Sequence, residues 1–134
     1  MGLIIDTGIF VQMEKAGHTP DFGPFAPYGE AFISAITVSE LLVGVHCADR
    51  AGRRAKRSAF VESIIGQIPS VRFTQIEART HARLSAELQG AGKMIGAHDL
   101  LIAAIAVAQG HAVLSNNEKD FKRVPGLTVL TLPG

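Results

Sequence analysis

The chain has 134 residues, 47% of them hydrophobic and 19% charged, with a formal net charge of +1. That length supports one core, that composition excludes a disordered chain, and so small a net charge points to no partner. The longest strictly apolar run, 100–108, is nine residues, against about 20 for a membrane-crossing helix. No basic region precedes the first apolar run, and Asp6 interrupts that run, so no secretory signal is expected. Position 6 lacks the Ser or Thr of a myristoylation signal. Cys47 is the lone cysteine, which excludes an internal disulfide and a Cys-rich zinc site. A cytoplasmic protein with one domain over 1–134 is the expectation.

Taken in chain order, Leu3–Ile5 reads as a strand that ends on Asp6. The stretch 17–29 holds Pro20, Pro24, Pro27 and three glycines, and reads as a loop or broken helical hairpin. Phe32–Ile36 is a second strand. The stripe Val38, Leu41, Leu42, Val45 marks a helix, and Phe60, Val61, Ile64, Ile65, Ile68 a second one. Val71–Thr74 is a third strand, followed by a helix on Ile76, Thr80, Leu84 and Leu88. Ala97–Gln109 is apolar nearly all round, which predicts a buried helix stopped by Gly110. Ala112–Ser115 and Leu127–Thr131 complete five strands. This alternation predicts an α/β fold with a parallel sheet covered on both faces.

Four acids occupy unusual places on that outline. Asp6 directly follows the first strand, Glu40 lies in the first turn or so of the helix after the second, and Asp120 follows the fourth in an Asn-rich turn. Open parallel sheets form their sites at the strands' carboxyl ends, where these three fall. Asp99 starts the helix that runs into the fourth strand, and pattern alone does not place it. Two carboxylates about 4 Å apart repel by roughly 4 kcal/mol at an effective dielectric of 20, so a cluster needs protons or a cation. Oxygen ligands on separate elements suit a hard ion such as Mg²⁺ or Mn²⁺. Thr7, Ser39, Ser115, Asn116 and Asn117 could orient carboxylates or phosphate oxygens. Each acid also has a structural explanation: Asp6 as a helix cap, Glu40 as a solvated position, Asp99 at a helix dipole, Asp120 in a turn.

Arg50, Arg53, Arg54, Lys56 and Arg57 cluster at the start of a predicted helix, where cations oppose the dipole. RNA phosphate would offset that cost; a solvated basic face is the plain alternative. His98 adjoins Asp99, with a surface or packing role expected. Cys47 reads as a small buried residue. Phe10, Val11 and Met13, with Phe22, Phe25 and Tyr28, form either ordinary core or an apolar groove for a partner helix.

The segments LIIDTGIF (3–10), ISAITVSELLVG (33–44), GAHDLLIAAIA (96–106) and LSNNEKDF (114–121) carry a resemblance to a known family. With these four in order, the chain resembles the PIN-domain ribonucleases, and within them the VapC-type toxins of bacterial toxin–antitoxin modules. The resemblance runs through almost the whole chain. It implies a three-layer α/β/α fold, Mg²⁺- or Mn²⁺-dependent endoribonuclease activity, a homodimer, and a small VapB-like antitoxin that occludes the site. Asp6, Glu40 and Asp99 match the family's most characteristic acids. Asp120 is taken as the fourth, and Asn117 as a neighbouring ligand-shell or substrate contact. Gly8 departs from relatives that often carry Ser there. The resemblance leaves open one ion or two. A catalytically silent RNA-binding or interaction module of the same fold is the alternative, and a PIN-type nuclease for rRNA maturation or structured DNA is a third.

Overall fold

A computed structural model describes residues 1–133. Five strands form one sheet in the order β3-β2-β1-β4-β5, every neighbour pair parallel. They are β1 (Gly2–Ile5), β2 (Glu30–Ser34), β3 (Ser70–Val71), β4 (Ala112–Leu114) and β5 (Val129–Leu130). The helices are α1 (Thr7–Ala16), α2 (Ala35–His46), α3 (Ala51–Gln67), α4 (Gln75–Gly90), α5 (Ala97–Gln109) and α6 (Glu118–Phe121), with a 3₁₀ turn at Gly23–Tyr28. Because parallel strands need crossovers, helical segments separate each strand from the next in the chain.

The alternation of side chains along β1 divides the core in two. Ile4 joins Leu84 and Leu88 of α4, the inward residues of α5, Val113 and Phe121. Leu3 and Ile5 join Ile9 and Phe10 of α1, Leu41 and Val45 of α2, and Val61 and Ile64 of α3. The result is the predicted three-layer sandwich. Helix α5 runs over the expected span, with Ala103, Ala104 and Ala106 buried. Its stop at Gly110 is left-handed, φ 73°, which glycine adopts without steric cost.

Several boundaries differ, and hydroxyls explain two of them. Ser34 ends β2 and accepts the Thr37 backbone N–H at 3.0 Å, so α2 begins at Ala35 and the strand expected to reach Ile36 stops short. Thr74 donates its N–H and its hydroxyl to Glu77, at 2.8 and 2.6 Å, so it caps α4 instead of extending β3. That cap turns Glu77 inward and leaves Ile76 at 66% exposure, off the stripe assigned to it. Cys47, expected buried, is exposed. It falls between the inward positions Val45 and Ala48, where α2 has already ended. Phe10 and Met13 are core, and Phe22 packs edge-on against Phe10 at 5.8 Å. Phe10, Met13 and Phe22 therefore serve the core, while Val11 stays 39% exposed.

Candidate active site

In the order 3-2-1-4-5 the winding reverses between β1 and β4, which opens a crevice at their carboxyl ends. Asp6 follows β1 and Ser115 follows β4, so the register Ile5–Leu114 sets them side by side. The Asp6 backbone N–H donates to Leu114 O at 2.9 Å. The Ser115 hydroxyl donates to Asp6 Oδ2 at 2.7 Å, and Thr7 N–H to Oδ1 at 2.9 Å. Asp6 thus caps α1, as its plain explanation required, yet it is also 7% exposed at the floor of the crevice.

Glu40 enters from the second turn of α2, slightly deeper than expected. The Thr7 hydroxyl donates to Glu40 Oε1 at 2.7 Å, and the buried Thr37 hydroxyl lies 3.1 Å from Thr7 Oγ1. On the other side, His98 Nδ1 stands 2.8 Å from Glu40 Oε2. A carboxylate only accepts, so Nδ1 carries the proton there.

Asp99 reaches the same edge for a topological reason. Helix α5 feeds β4 and runs antiparallel to it, so the start of α5 lies at the strands' carboxyl ends. Asn117 Nδ2 then donates to Asp99 Oδ2 at 2.8 Å and to Asp120 Oδ2 at 3.1 Å. The Asn117 backbone N–H donates to Ser115 Oγ at 2.9 Å, which closes the chain back to Asp6. Asp6, Glu40, Asp99 and Asp120 are thereby drawn to one edge, with Thr7, Ser115 and Asn117 between them. Ser39 is exposed and takes no part in this network.

Electrostatics marks the cluster. Burial, opposed by the Ser115 and Thr7 hydrogen bonds, raises the Asp6 carboxyl above its ordinary value, and the charges of Asp99 and Glu40 raise it further. Asp99 is likewise raised by burial, then by Asp120 and Glu40, against the Asn117 hydrogen bond. Among the described residues, no three Asp, Glu, His or Cys side chains close on one ion-sized point, because Thr7 and Asn117 act as spacers. The donor chemistry nevertheless fits a hard divalent cation: four carboxylates, oxygen throughout, with repulsion that a cation would relieve.

A pH dependence follows. Carboxyls raised on folding hold protons in the native state that the unfolded chain has already released. Their contribution therefore becomes more favourable as pH falls through the raised native values toward about 3.9. Chelator-treated wild type should lose stability relative to Asp6→Asn as pH rises from that window to neutrality. Thermal melts at several pH values would read this, and a constant difference would refute it. His111, lowered by burial, acts oppositely near its own range, but both proteins carry it and its effect cancels.

The basic cluster is only partly free. Arg54 donates to Ala48 O at 2.8 Å, and Arg57 donates to Gly44 O at 3.2 Å and pairs with Glu14 at 3.3 Å. Arg53 makes an exposed pair with Asp49 at 3.5 Å, worth little. A groove of about 530 Å³ lies between α1 and α3, with Lys15, His18, Arg53, Lys56 and Arg57 on its walls. A smaller cavity of about 140 Å³ shares Glu14, Lys15, Arg57 and Phe60 with it and extends to Thr7 and Glu40. The basic residues therefore lead to the acids.

Sequence reasoning missed Thr37 and the His98–Glu40 bond. Thr37 had a detectable signal, since it lies three residues before Glu40 on one helix face. His98 meets Glu40 across 58 positions, and no local pattern encodes that.

Comparison with known proteins gives a consistent result. The PIN domain family matches residues 3–127. The chain is similar to Ribonuclease VapC1 of Rickettsia felis, 40% identical over 98% of this chain and 97% of that protein. It is 35% identical to Ribonuclease VapC of Rickettsia bellii, over 99% and 98% of the two chains. Among solved structures, VapBC2 from Rickettsia felis bound to a promoter DNA fragment superposes with a TM-score of 0.85 at 26% identity, covering 99% of this chain and 100% of that one.

Proposed function

The chain belongs to the PIN-domain family and, within it, to the VapC ribonucleases, and from that membership we propose a Mg²⁺- or Mn²⁺-dependent endoribonuclease. It is the toxin of a two-component module, acting in the cytoplasm as a homodimer and held in check by a VapB-like antitoxin, as in the VapBC complexes it resembles. The observation that carries the proposal is the hydrogen-bonded convergence of Asp6, Glu40, Asp99 and Asp120 at the switch point of the sheet.

Asp6, Glu40 and Asp99 would hold the first ion, and Asp120 would support a second or orient water. A cation so held lowers the pKa of water and stabilises charge developing on a phosphodiester. Ser115 and Thr7 keep the Asp6 and Glu40 carboxylates turned to the crevice, and His98 fixes the outer Glu40 oxygen. Asn117 bridges Asp99 and Asp120 through one amide nitrogen and so orients both carboxylates. The basic groove carries the flanking RNA strand.

Titration of Mn²⁺ into chelator-treated protein should restore cleavage of RNA, and cleavage that persists in excess chelator would refute metal dependence. Brief induction in cells, with RNA ends sequenced for wild type and Asp6→Asn, should give new ends only with wild type. If neither RNA cleavage nor acid-dependent metal binding is found, the silent interaction module is the better description. Lys15, Arg53 and Lys56 are the groove cations without buried partners. Changing all three to Ala should flatten the log–log salt dependence of RNA binding by about 2, at roughly 0.7 per phosphate contact on single strands. An unchanged slope would remove the groove from the RNA path.

A further inference from the structure

Helix α1 is a ridge leading away from the acidic crevice, and its two flanks differ. The basic groove lies on the side of α3. On the opposite flank is a second cavity of about 340 Å³, walled by Met13, Ala16, Leu132 and Pro133, with Gln12 and Asp21 as polar margins. Its volume lies in the range of ligand-binding clefts, with apolar walls and polar margins that include Thr19. Among the described residues, no Lys or Arg lines it and Asp21 stands on its margin, so charge complementarity to phosphate is lacking there. The basic flank takes the backbone, and this flank suits the uncharged part of a nucleotide.

Gln12 connects this cavity to the acids. It stands six residues, about 9 Å of helix rise, beyond Asp6. Its Oε1 accepts from Asn116 Nδ2, and Asn116 lies between Ser115 and Asn117 of the acidic network. That bond uses one group of each carboxamide. Gln12 Nε2 remains as a donor on the cavity margin, and Asn116 Oδ1 remains as an acceptor on the exposed side chain bonded to it. A nucleobase edge presents the complementary neighbouring acceptor and donor, which is how amide side chains read bases. His18 borders both this cavity and the basic groove and is exposed, which sets an imidazole, a ring type that bases stack on, at the end of the ridge. Gly8, one turn before Gln12, leaves open space where a side chain would stand.

We propose that the cavity on the far flank of α1 is a nucleobase subsite for a nucleotide next to the cleaved phosphodiester, its edge read by Gln12 and Asn116. The subsite presupposes the ribonuclease activity proposed above and adds a base-reading element to it. The test uses an RNA oligonucleotide with one mapped cleavage site, and derivatives made abasic at either neighbouring nucleotide. Loss of one of these bases should lower wild-type kcat/KM about tenfold, the size of a single good base contact. Gln12→Ala should cut the intact oligonucleotide more slowly and no longer distinguish it from the abasic one. Ala16→Phe, which fills the cavity from an exposed helix position, should do the same. A wild type indifferent to both abasic positions, or a Gln12→Ala protein that keeps the full abasic penalty, overturns the subsite while leaving the ribonuclease intact. A wild type that cuts no RNA at all removes both.

Discussion

Asp99→Asn should lower single-turnover RNA cleavage by about 10³-fold, equivalent to roughly 4 kcal/mol of transition-state stabilisation. Asn has nearly the same volume and keeps an oxygen for the Asn117 amide, which now donates to Asp99 Oδ2 at 2.8 Å. The fold should therefore be retained, and the change removes one charge from the crevice. Asp99 is also the acid that couples to both Glu40 and Asp120, so its loss separates the two ends of the cluster. The defect should appear in kcat, with RNA affinity little altered, because the basic groove is untouched. A variant that keeps activity within tenfold of wild type at saturating Mn²⁺ would exclude Asp99 from the reaction.

Phe121→Ala should destabilise the protein by about 3–5 kcal/mol, a large share of the roughly 5–15 kcal/mol typical of a domain. Phe121 is 0% exposed and joins the cluster beneath α5. It also anchors α6, whose four residues are too few to form a stable helix alone. With the ring gone, Asn117 and Asp120 lose their support as well as the core losing packing. Urea denaturation should show a lower midpoint at unchanged slope. Phe121→Leu, which refills most of the space, should recover stability and cleavage together. A Phe121→Ala protein as stable as wild type would show that α6 is held from elsewhere.

Much of this architecture was readable from the residues, because it rests on apolar periodicity. The β1 run ending on Asp6 and the limits of α5 are local patterns, and both were found where expected. Junctions were less readable. Ser34 and Thr74 lie inside runs that read as strands, but each spends its hydroxyl on a helix cap: Ser34 closes β2 as it opens α2, and Thr74 leaves β3 altogether. The site was readable as a set of acids and not as a place. Asp99 could be located only after the crossover direction of α5 was known. His98 joins through a contact 58 positions away that no single segment contains, whereas Thr37 stands one helical step before Glu40. The basic cluster was visible as charge, yet the internal bonds of Arg54 and Arg57, and the contribution of Lys15 from a different helix, required the fold.

Strand β1 is the centre of the sheet, and its last partner to be made is β4. A ribosome adds residues from the N-terminus onward, so Asp6 and Glu40 emerge long before Asp99, Ser115 and Asp120. Until β4 pairs with β1, the nascent polypeptide has only half of the pocket. The acidic crevice is thereby completed only once residues 112–120 have joined the sheet.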